Sequence, residues 1–190
     1  MKTKLFVAFL VAVAALSLAA AAFGGKFIRG TAGDDTLVGT ETADAIFGYA
    51  GNDTISGLGG ADVIRGGAGN DRVDAGEGDD TVYGGEGNDA LVGGDGNDTL
   101  RGRKGDDRIN GGAGNDVIWV GAGADSEDGG PGDDVLHMLA SDHQPDTADC
   151  GEGNDTLYVN STETTDTWVN CEHVIIVDPK KDKAAIQQDQ

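Results

Sequence analysis

The sequence has 190 residues, of which 33 are glycine, and its formal net charge at pH 7 is −21. Only 5% of the residues are aromatic and long apolar runs are few, which excludes one conventional hydrophobic core for a chain of this length. A charge this negative argues against nucleic acid as a partner and indicates that something cationic neutralises it.

The first 22 residues are typical of a secretory signal peptide. Two lysines precede an almost unbroken apolar run from Leu5 to Leu18, and small residues follow as far as Ala22. A membrane anchor is the alternative, but the run is shorter than the roughly 20 residues that a membrane-spanning helix needs. We therefore expect cleavage near Phe23, general secretion to an extracellular location, and no stable membrane span afterwards.

From Gly30 to His137 the sequence divides without gaps into twelve nonapeptides. The fourth position is glycine in all but one of them, and the eighth is Leu, Ile or Val in all but one. This regularity predicts a solenoid, whereas composition alone is also typical of a disordered acidic chain. The sixth position is aspartate in every repeat, namely Asp35, Asp44, Asp53, Asp62, Asp71, Asp80, Asp89, Asp98, Asp107, Asp116, Asp125 and Asp134.

Each nonapeptide predicts one tight turn followed by one very short strand. Glycine in the turn permits backbone torsions that other residues avoid, and it directs carbonyl oxygens to one side. In the strand the eighth side chain points inward and its neighbours point outward. Two repeats then make one coil, with odd and even repeats on opposite edges. The expected inner ladder consists of Leu37, Ile46, Ile55, Ile64, Val73, Val82, Leu91, Leu100, Ile109 and Ile118.

Stacked turns would enclose two aspartate carboxylates and several backbone carbonyls. This all-oxygen set suits a hard cation with roughly 6 to 8 ligands, which favours Ca²⁺ over the smaller Mg²⁺. Without an ion, stacked aspartates would repel one another by roughly 1 kcal/mol per neighbouring pair even in a water-like dielectric. We therefore expect folding to require the ion, with at most about ten sites along the two edges.

The repeats, such as GGAGNDRVD from Gly66 and GGDGNDTLR from Gly93, resemble the haemolysin-type, or repeats-in-toxin, calcium-binding nonapeptides. The resemblance implies an all-β, right-handed parallel β-roll over residues 23–137 that binds Ca²⁺ between successive turns and stays disordered without it. It also implies that the twelve sixth-position aspartates are the liganding carboxylates. The carbonyl ligands it implies are those of turn residues such as Gly67, Gly69, Gly85, Gly87, Gly94, Gly96, Gly112 and Gly114.

Three repeats depart from the pattern. The second has Thr42 in place of the turn glycine, and the fourth has Ala61 at position five. The eleventh has Val120 at position one and Glu127 at the inward position. Because an unpaired interior carboxylate is expensive, we expect Glu127 to turn toward solvent. The best sites are expected between Gly66 and Asp116, where the turns are most regular.

After His137 the period breaks, and residues 138–178 are predicted to form an irregular repeat and a C-terminal cap. Residues 150–158 resume the pattern, with Asp155 at the acidic position. Residues 167–169 and 174–177 are β-prone and carry larger side chains than the coils, which suits a segment that covers an open strand edge.

Cys150 and Cys171 predict a disulfide within this cap. An even number of cysteines in an exported chain favours a disulfide, and a loop of about 20 residues would contribute ~3 kcal/mol. Two free thiols are the alternative. Beyond the cap, the polar residues 179–190 are expected to form a flexible tail.

The sequence contains no GxSxG, HExxH or P-loop motif, which argues against an enzyme. Asp142, His143 and Asp146 could bind a transition metal, but solvated loop residues are the favoured interpretation. The 41 residues from 138 to 178 are too few for a catalytic domain.

The leading hypothesis is an exported, non-enzymatic protein that folds on binding several Ca²⁺ ions, with an unknown protein or surface partner. The alternative is a cell-surface or adhesion module whose calcium-rigidified faces bind a partner. An ice-binding solenoid is disfavoured, because no turn position carries a rank of threonines. The adhesion module would be favoured if a set of outward side chains lay together on one face. These side chains are Arg65, Arg72, Tyr83, Arg101, Arg108 and Trp119.

Overall fold

Short strands and turns alternate along the whole of the computed structural model, which describes residues 24–140, 142–162 and 164–178. The described residues form seventeen strands and no helix, and therefore no helix that could cross a bilayer. The predicted signal peptide, residues 1–22, and the predicted tail, residues 179–190, lie outside the described residues.

The strands form two parallel sheets. The nine-stranded sheet contains β1 (Phe27–Arg29), β3 (Ala45–Ala50), β5 (Val63–Ala68), β7 (Thr81–Glu86), β9 (Thr99–Lys104), β11 (Val117–Ala122), β13 (Val135–Met138), β15 (Thr156–Asn160) and β17 (His173–Val177). The eight-stranded sheet contains β2 (Thr36–Thr40), β4 (Thr54–Gly59), β6 (Arg72–Glu77), β8 (Ala90–Asp95), β10 (Arg108–Ala113), β12 (Ser126–Asp128), β14 (Thr147–Asp149) and β16 (Thr167–Val169).

Every strand pairs with the strand two places along the chain, so two nonapeptides make one coil. Val82 of β7 pairs with Leu100 of β9, which in turn pairs with Ile118 of β11, at intervals of 18 residues. About eight such coils follow one another. The prediction of an all-β parallel solenoid with odd and even repeats in opposite sheets is confirmed.

The predicted inner ladder is the core of the molecule. Its ten residues, from Leu37 to Ile118, are buried, and the least buried is only 8% exposed. Leu136 and Leu157 prolong the ladder beyond the regular repeats. Burying one such side chain contributes about 1.5–3 kcal/mol, so a strand too short to persist alone is held by its neighbours on both sides.

The prediction that Glu127 turns toward solvent is wrong. This side chain is 2% exposed and occupies the inward position of β12, in register between Ile109 of β10 and Ala148 of β14. Turning it outward would require a one-residue slip of β12 against both neighbouring strands, which would move its other side chains to the wrong faces. Sheet pairing therefore outweighs the local cost of burying a carboxylate, and the short side chain of Ala148 leaves room for it.

Residues 138–178 continue the same two sheets. Strands β14 and β16 extend the even-numbered sheet, and β15 and β17 extend the odd-numbered one. The predicted disulfide is confirmed: it joins Cys150, just after β14, to Cys171, just before β17. In the last coil Trp168 and Ile176 are 39% and 68% exposed, so larger apolar side chains do lie at this end.

The turn glycines are required where one coil passes directly over the next. Gly69, at position four of its repeat, has φ +126°, and an added Cβ would overlap the carbonyl oxygen of Gly51 in the neighbouring coil. Gly33 holds the same position in the first coil, where the nearest atom to an added Cβ is 4.0 Å away. The two positions therefore differ in the contact with a preceding coil and also in backbone conformation, since Gly69 has a positive φ and Gly33 does not.

We expect Gly69→Ala to destabilise the calcium-loaded protein by about 2 kcal/mol or more, because both the backbone conformation and the coil contact oppose a side chain. Gly33→Ala is the matched control and should stay within about 0.5 kcal/mol of the parent. Urea unfolding followed by circular dichroism measures both. Equal stabilities of the two variants would contradict the close approach of the coils.

Candidate metal centre

The sixth-position aspartates form two rows, one along each edge of the solenoid. Each backbone N–H in a row donates to the carboxylate of the aspartate one coil further on. The distance is 2.8 Å from Asp71 N to Asp89 Oδ1, and 2.7 Å from Asp98 N to Asp116 Oδ1. All twelve except Asp35 are buried, with 3% exposure or less. Each row is thus a continuous chain of buried carboxylates that bridge the coils.

The interior repeats differ from the first two in the hydrogen bonding of the second carboxylate oxygen, Oδ2. Eleven of these buried oxygens accept no hydrogen bond from any residue that the structure describes, and a buried acceptor in that state is costly. A cation would satisfy them, so the donor set fits a metal ion. These oxygens belong to Asp53, Asp62, Asp71, Asp80, Asp89, Asp98, Asp107, Asp116, Asp125, Asp134 and Asp155.

Backbone carbonyls enter the same gaps between turns. For seven predicted ligand glycines, the carbonyl oxygen lies close to the equivalent glycine of the next coil. A Cβ added to that next glycine would overlap the oxygen. The eighth, Gly85, pairs with Arg103 in the next coil, where no glycine follows. The seven are Gly67, Gly69, Gly87, Gly94, Gly96, Gly112 and Gly114.

The resulting donor set is rich in carbonyl oxygen. No group of three or more His, Cys, Asp or Glu side chains is placed to hold a metal ion within residues 24–140, 142–162 and 164–178. An added Cβ on Gly48 would instead overlap both Asp53 Oδ2 and the carbonyl oxygen of Gly66, so carboxylate and backbone oxygens approach the same point between coils. Oxygen ligands from carboxylates and backbone are those that Ca²⁺ prefers.

The first coil satisfies its carboxylates differently. Oδ2 of Asp35 accepts hydrogen bonds from the N–H and the hydroxyl of Thr31, at 2.5 and 2.9 Å. Oδ2 of Asp44 does the same with Thr40, at 2.6 and 2.9 Å, and its Oδ1 accepts from the backbone of Lys26. Threonine at position two thus supplies donors within the turn, and the case for a cation ligand is weaker at these two predicted residues.

Both rows continue past the regular repeats. Asp125 N donates to Asp146 Oδ1 and Asp134 N donates to Asp155 Oδ1, each at 2.8 Å and each across 21 residues instead of 18. The prediction that Asp146 is a solvated loop residue is therefore wrong, since it is 2% exposed. Three inserted residues shift the period, and the string DTAD at residues 146–149 is the signal that could have identified it.

Asp142 and His143, which were considered with Asp146 as a possible transition-metal site, are not members of the aspartate rows. Oδ2 of Asp142 accepts a hydrogen bond from Gly123 N at 2.7 Å, and His143 is exposed. At the end of the rows, Asp146 N donates to Asp166 and Asp155 N donates to Glu172. The acidic rows therefore end on two side chains of the C-terminal segment.

A second ladder of hydrogen bonds, at position five of the repeats, was not predicted from the sequence. Asn88 N donates to Asn70 Oδ1 at 2.8 Å, and Asn115 N donates to Asn97 Oδ1 at 2.9 Å. These bonds run in the opposite direction to those of the aspartate rows and lie on the exposed rim of the turns. Position five is Asn or Asp in nine of the twelve repeats, so the signal was present in the sequence.

Burial raises the pKa values of the interior aspartates. It raises the pKa of Asp107 to about 8 and the pKa values of Asp80 and Asp116 to about 7. The hydrogen bond from the neighbouring backbone N–H opposes this shift, and the adjacent carboxylates of each row add to it. Without a cation, these buried carboxyl groups hold protons close to neutral pH.

This shift predicts an unusual pH dependence for the calcium-free protein. The folded-state pKa of Asp107 lies above its ordinary value of 3.8, so the folded chain binds more protons than the unfolded chain. Stability is therefore highest in acid and falls as the pH rises from about 4 to about 8. We expect strand content in calcium-free buffer to be greater at pH 5 than at pH 8, measured by far-ultraviolet circular dichroism.

Asp107→Asn should weaken this dependence, whereas Asp74→Asn, at an exposed outward position, is the charge-matched control. Strand content that is no greater at pH 5 than at pH 8 would show that the buried carboxyl groups do not govern folding.

Comparison with known protein families agrees with the geometry of the rows. Residues 29–64, 56–91 and 92–127 match the family described as the RTX calcium-binding nonapeptide repeat (4 copies), and together they span more than half of the chain. No curated protein matches the sequence. Repeats of this family bind multiple Ca²⁺ ions. The chain therefore belongs to the RTX calcium-binding nonapeptide-repeat family, as a calcium-binding parallel β-roll.

Proposed function

We propose that this is an exported, non-enzymatic protein whose β-roll folds when several Ca²⁺ ions bind between its stacked turns. The observation that carries the proposal is the set of eleven buried Oδ2 atoms that accept no hydrogen bond within the described chain. They occur in every repeat from Asp53 to Asp134 and lie along the rows in which the glycine carbonyls project. Bound Ca²⁺ would supply positive charge between the rows and cancel their mutual repulsion.

The proposed ligands are the interior aspartates together with the turn carbonyls beside them. Asp155 joins this set, because it continues a row and its Oδ2 likewise accepts no hydrogen bond from the described residues. Asp35 and Asp44 lie at the margin of the set, because Thr31 and Thr40 already donate to them. Fewer ions than the upper limit of about ten are therefore expected.

Two further features support export. The Cys150–Cys171 disulfide is typical of proteins in oxidising compartments. The N-terminal segment has the basic, apolar and small-residue pattern of a signal peptide. Extracellular calcium is abundant, so sites with dissociation constants of about 10⁻⁴ to 10⁻³ M would be filled there. Folding would then be coupled to arrival outside the cell.

Calcium titration of residues 23–190 at pH 8 tests the proposal. We expect little strand signal in a chelator, a cooperative gain of strand as Ca²⁺ is added, and no equivalent gain with Mg²⁺ at the same concentration, because Mg²⁺ retains its waters. Circular dichroism gives the transition, and calorimetry gives the number of ions. A full strand signal in the chelator, or an equal response to Mg²⁺, would rule the proposal out.

Substitution within one row tests the ligand assignment. Asp98→Asn removes a buried carboxylate oxygen that lacks a donor, and we expect it to raise the midpoint calcium concentration about threefold to tenfold. Asp35→Asn is the matched control, since the same repeat position in the first coil is only half-buried and bonded to Thr31. Equal midpoints for the two variants would contradict the assignment.

One observation favours partner binding at a flat face as a second function. Four of the six outward side chains considered for such a face, Arg65, Tyr83, Arg101 and Trp119, lie in one column of the odd-numbered sheet. The other two, Arg72 and Arg108, lie in one column of the even-numbered sheet, on either side of Ala90. The clustering that favours a binding face is therefore present on one side of the roll.

A further inference from the structure

The outer surface of the odd-numbered sheet carries one column of cationic and aromatic side chains. Arginine and an aromatic residue alternate over its first six strands, so an arginine recurs at every second strand, roughly 10 Å apart. The column then ends in aromatic rings. From β1 to β15 this arginine–aromatic column consists of Arg29, Phe47, Arg65, Tyr83, Arg101, Trp119, His137 and Tyr158.

Contacts within the column hold its side chains in place. The guanidinium carbon of Arg65 lies 5.0 Å from the ring centroid of Tyr83, and that of Arg101 lies 4.0 Å from the ring of Trp119. The rings of Trp119, His137 and Tyr158 stack in sequence, with centroids 4.8 and 4.9 Å apart. Because cation–π and stacking contacts already order these groups, a ligand would lose little side-chain entropy on binding them.

The charge of this face is opposite to that of the whole chain. The two outward columns of the odd-numbered sheet contain no Asp or Glu in any of the nine described strands. On the even-numbered sheet the equivalent outward column contains Asp74, Asp128 and Asp149. A protein of net charge −21 thus presents one flat, cationic and aromatic surface, and the complementary partner is an anion.

The two exposed arginines of the column are suited to recognising acidic groups. Arg29 lies 4.2 Å from the ring of Phe27, and neither Arg29 nor Arg65 lies within 4 Å of a carboxylate among the residues that the structure describes. A guanidinium group binds carboxylate or sulfate through paired N–H donors. Arg29 and Arg65 therefore present their charge to a ligand and not to an internal acid.

We propose that the arginine–aromatic column binds a linear anionic polysaccharide, whose chain lies along the solenoid axis with its carboxylate or sulfate groups against the arginines. The inference rests on the proposed calcium-dependent fold, because the column exists only when the coils are stacked. The half-buried rings of Tyr83 and Trp119 supply apolar contacts for the sugar rings, whereas Phe47, at 7% exposure, is covered by its neighbours. The flat sheet does not limit the length of the bound polymer, so one polysaccharide chain crosses several coils.

The spacing of the arginines favours an anionic polysaccharide over other classes of anion. One arginine per roughly 10 Å matches a polymer with one acidic group for every two extended sugar units. Duplex DNA carries one charge per about 1.7 Å, which is far denser, and the acidic edges of the roll would repel it. An acidic protein would offer charges without this regular repeat. The periodic column therefore favours a periodic polysaccharide.

Binding of hyaluronan and chondroitin sulfate to residues 23–190 in saturating Ca²⁺ tests the proposal. We expect calorimetry to show salt-sensitive binding of at least one of them, and none of carboxyl-reduced hyaluronan, which lacks the charges. Arg65→Gln with Arg101→Gln should weaken binding about tenfold or more. Arg72→Gln with Arg108→Gln is the matched control, with the same charge change and sequence spacing on the opposite sheet, and should bind as the parent does.

Circular dichroism under the same conditions separates the two hypotheses. A chain that does not gain strand with Ca²⁺ refutes the proposed function, whereas a folded chain that binds neither polysaccharide refutes only the polysaccharide partner. Equal binding by the two double variants, or tighter binding of poly-glutamate or single-stranded DNA, also overturns it. The single variant Arg65→Gln, at an exposed side chain, provides the comparison if the double variant fails to fold.

Discussion

The stacking of identical repeat positions at strand spacing is the constraint on which this structure depends. A parallel solenoid places position n of one coil about 4.8 Å from position n of the next. For the apolar residues at position eight the outcome is a buried core along the roll, in which Glu127 is the one charged side chain at that position. For the aspartates at position six it is two rows of buried like charges. The Oδ1 atoms are satisfied by backbone N–H groups of the adjacent coil, and the Oδ2 atoms leave a requirement for cations.

The two ends of the roll meet this constraint in other ways. At the first two described turns, Thr31 and Thr40 donate to the carboxylates within their own turns. At the last coils Asp166 and Glu172 receive the final backbone N–H groups of the rows. The disulfide between Cys150 and Cys171 links the same region covalently. The interior coils lack these local solutions, and they are where we propose that calcium binds.

The same stacking gives the two flat faces different characters. Because two nonapeptides make one coil, odd and even repeats contribute to separate sheets, and a preference confined to alternate repeats becomes a property of one face. Arg65 and Trp119 belong to one such set, and Asp74 belongs to the other. A chain with a large negative charge can therefore carry a cationic, aromatic surface without any local departure from the repeat.

The sequence by itself determined the period, the two-repeat coil, the inner ladder and the aspartate rows, since each follows from a local pattern repeated in register. The even number of cysteines predicted the disulfide. Only the tertiary structure decided the burial of Glu127, the place of Asp146 in a row, and the hydrogen-bonded state of Asp35 and Asp44. These features depend on neighbouring coils. The pairing of β12 with both β10 and β14 fixes Glu127 inside, and a three-residue insertion is absorbed between strands. Among the described residues, the turn that contains Asp35 has no coil before it. Each of these features depends on contacts between residues 18 or 21 positions apart, and a nine-residue pattern carries no information about such contacts.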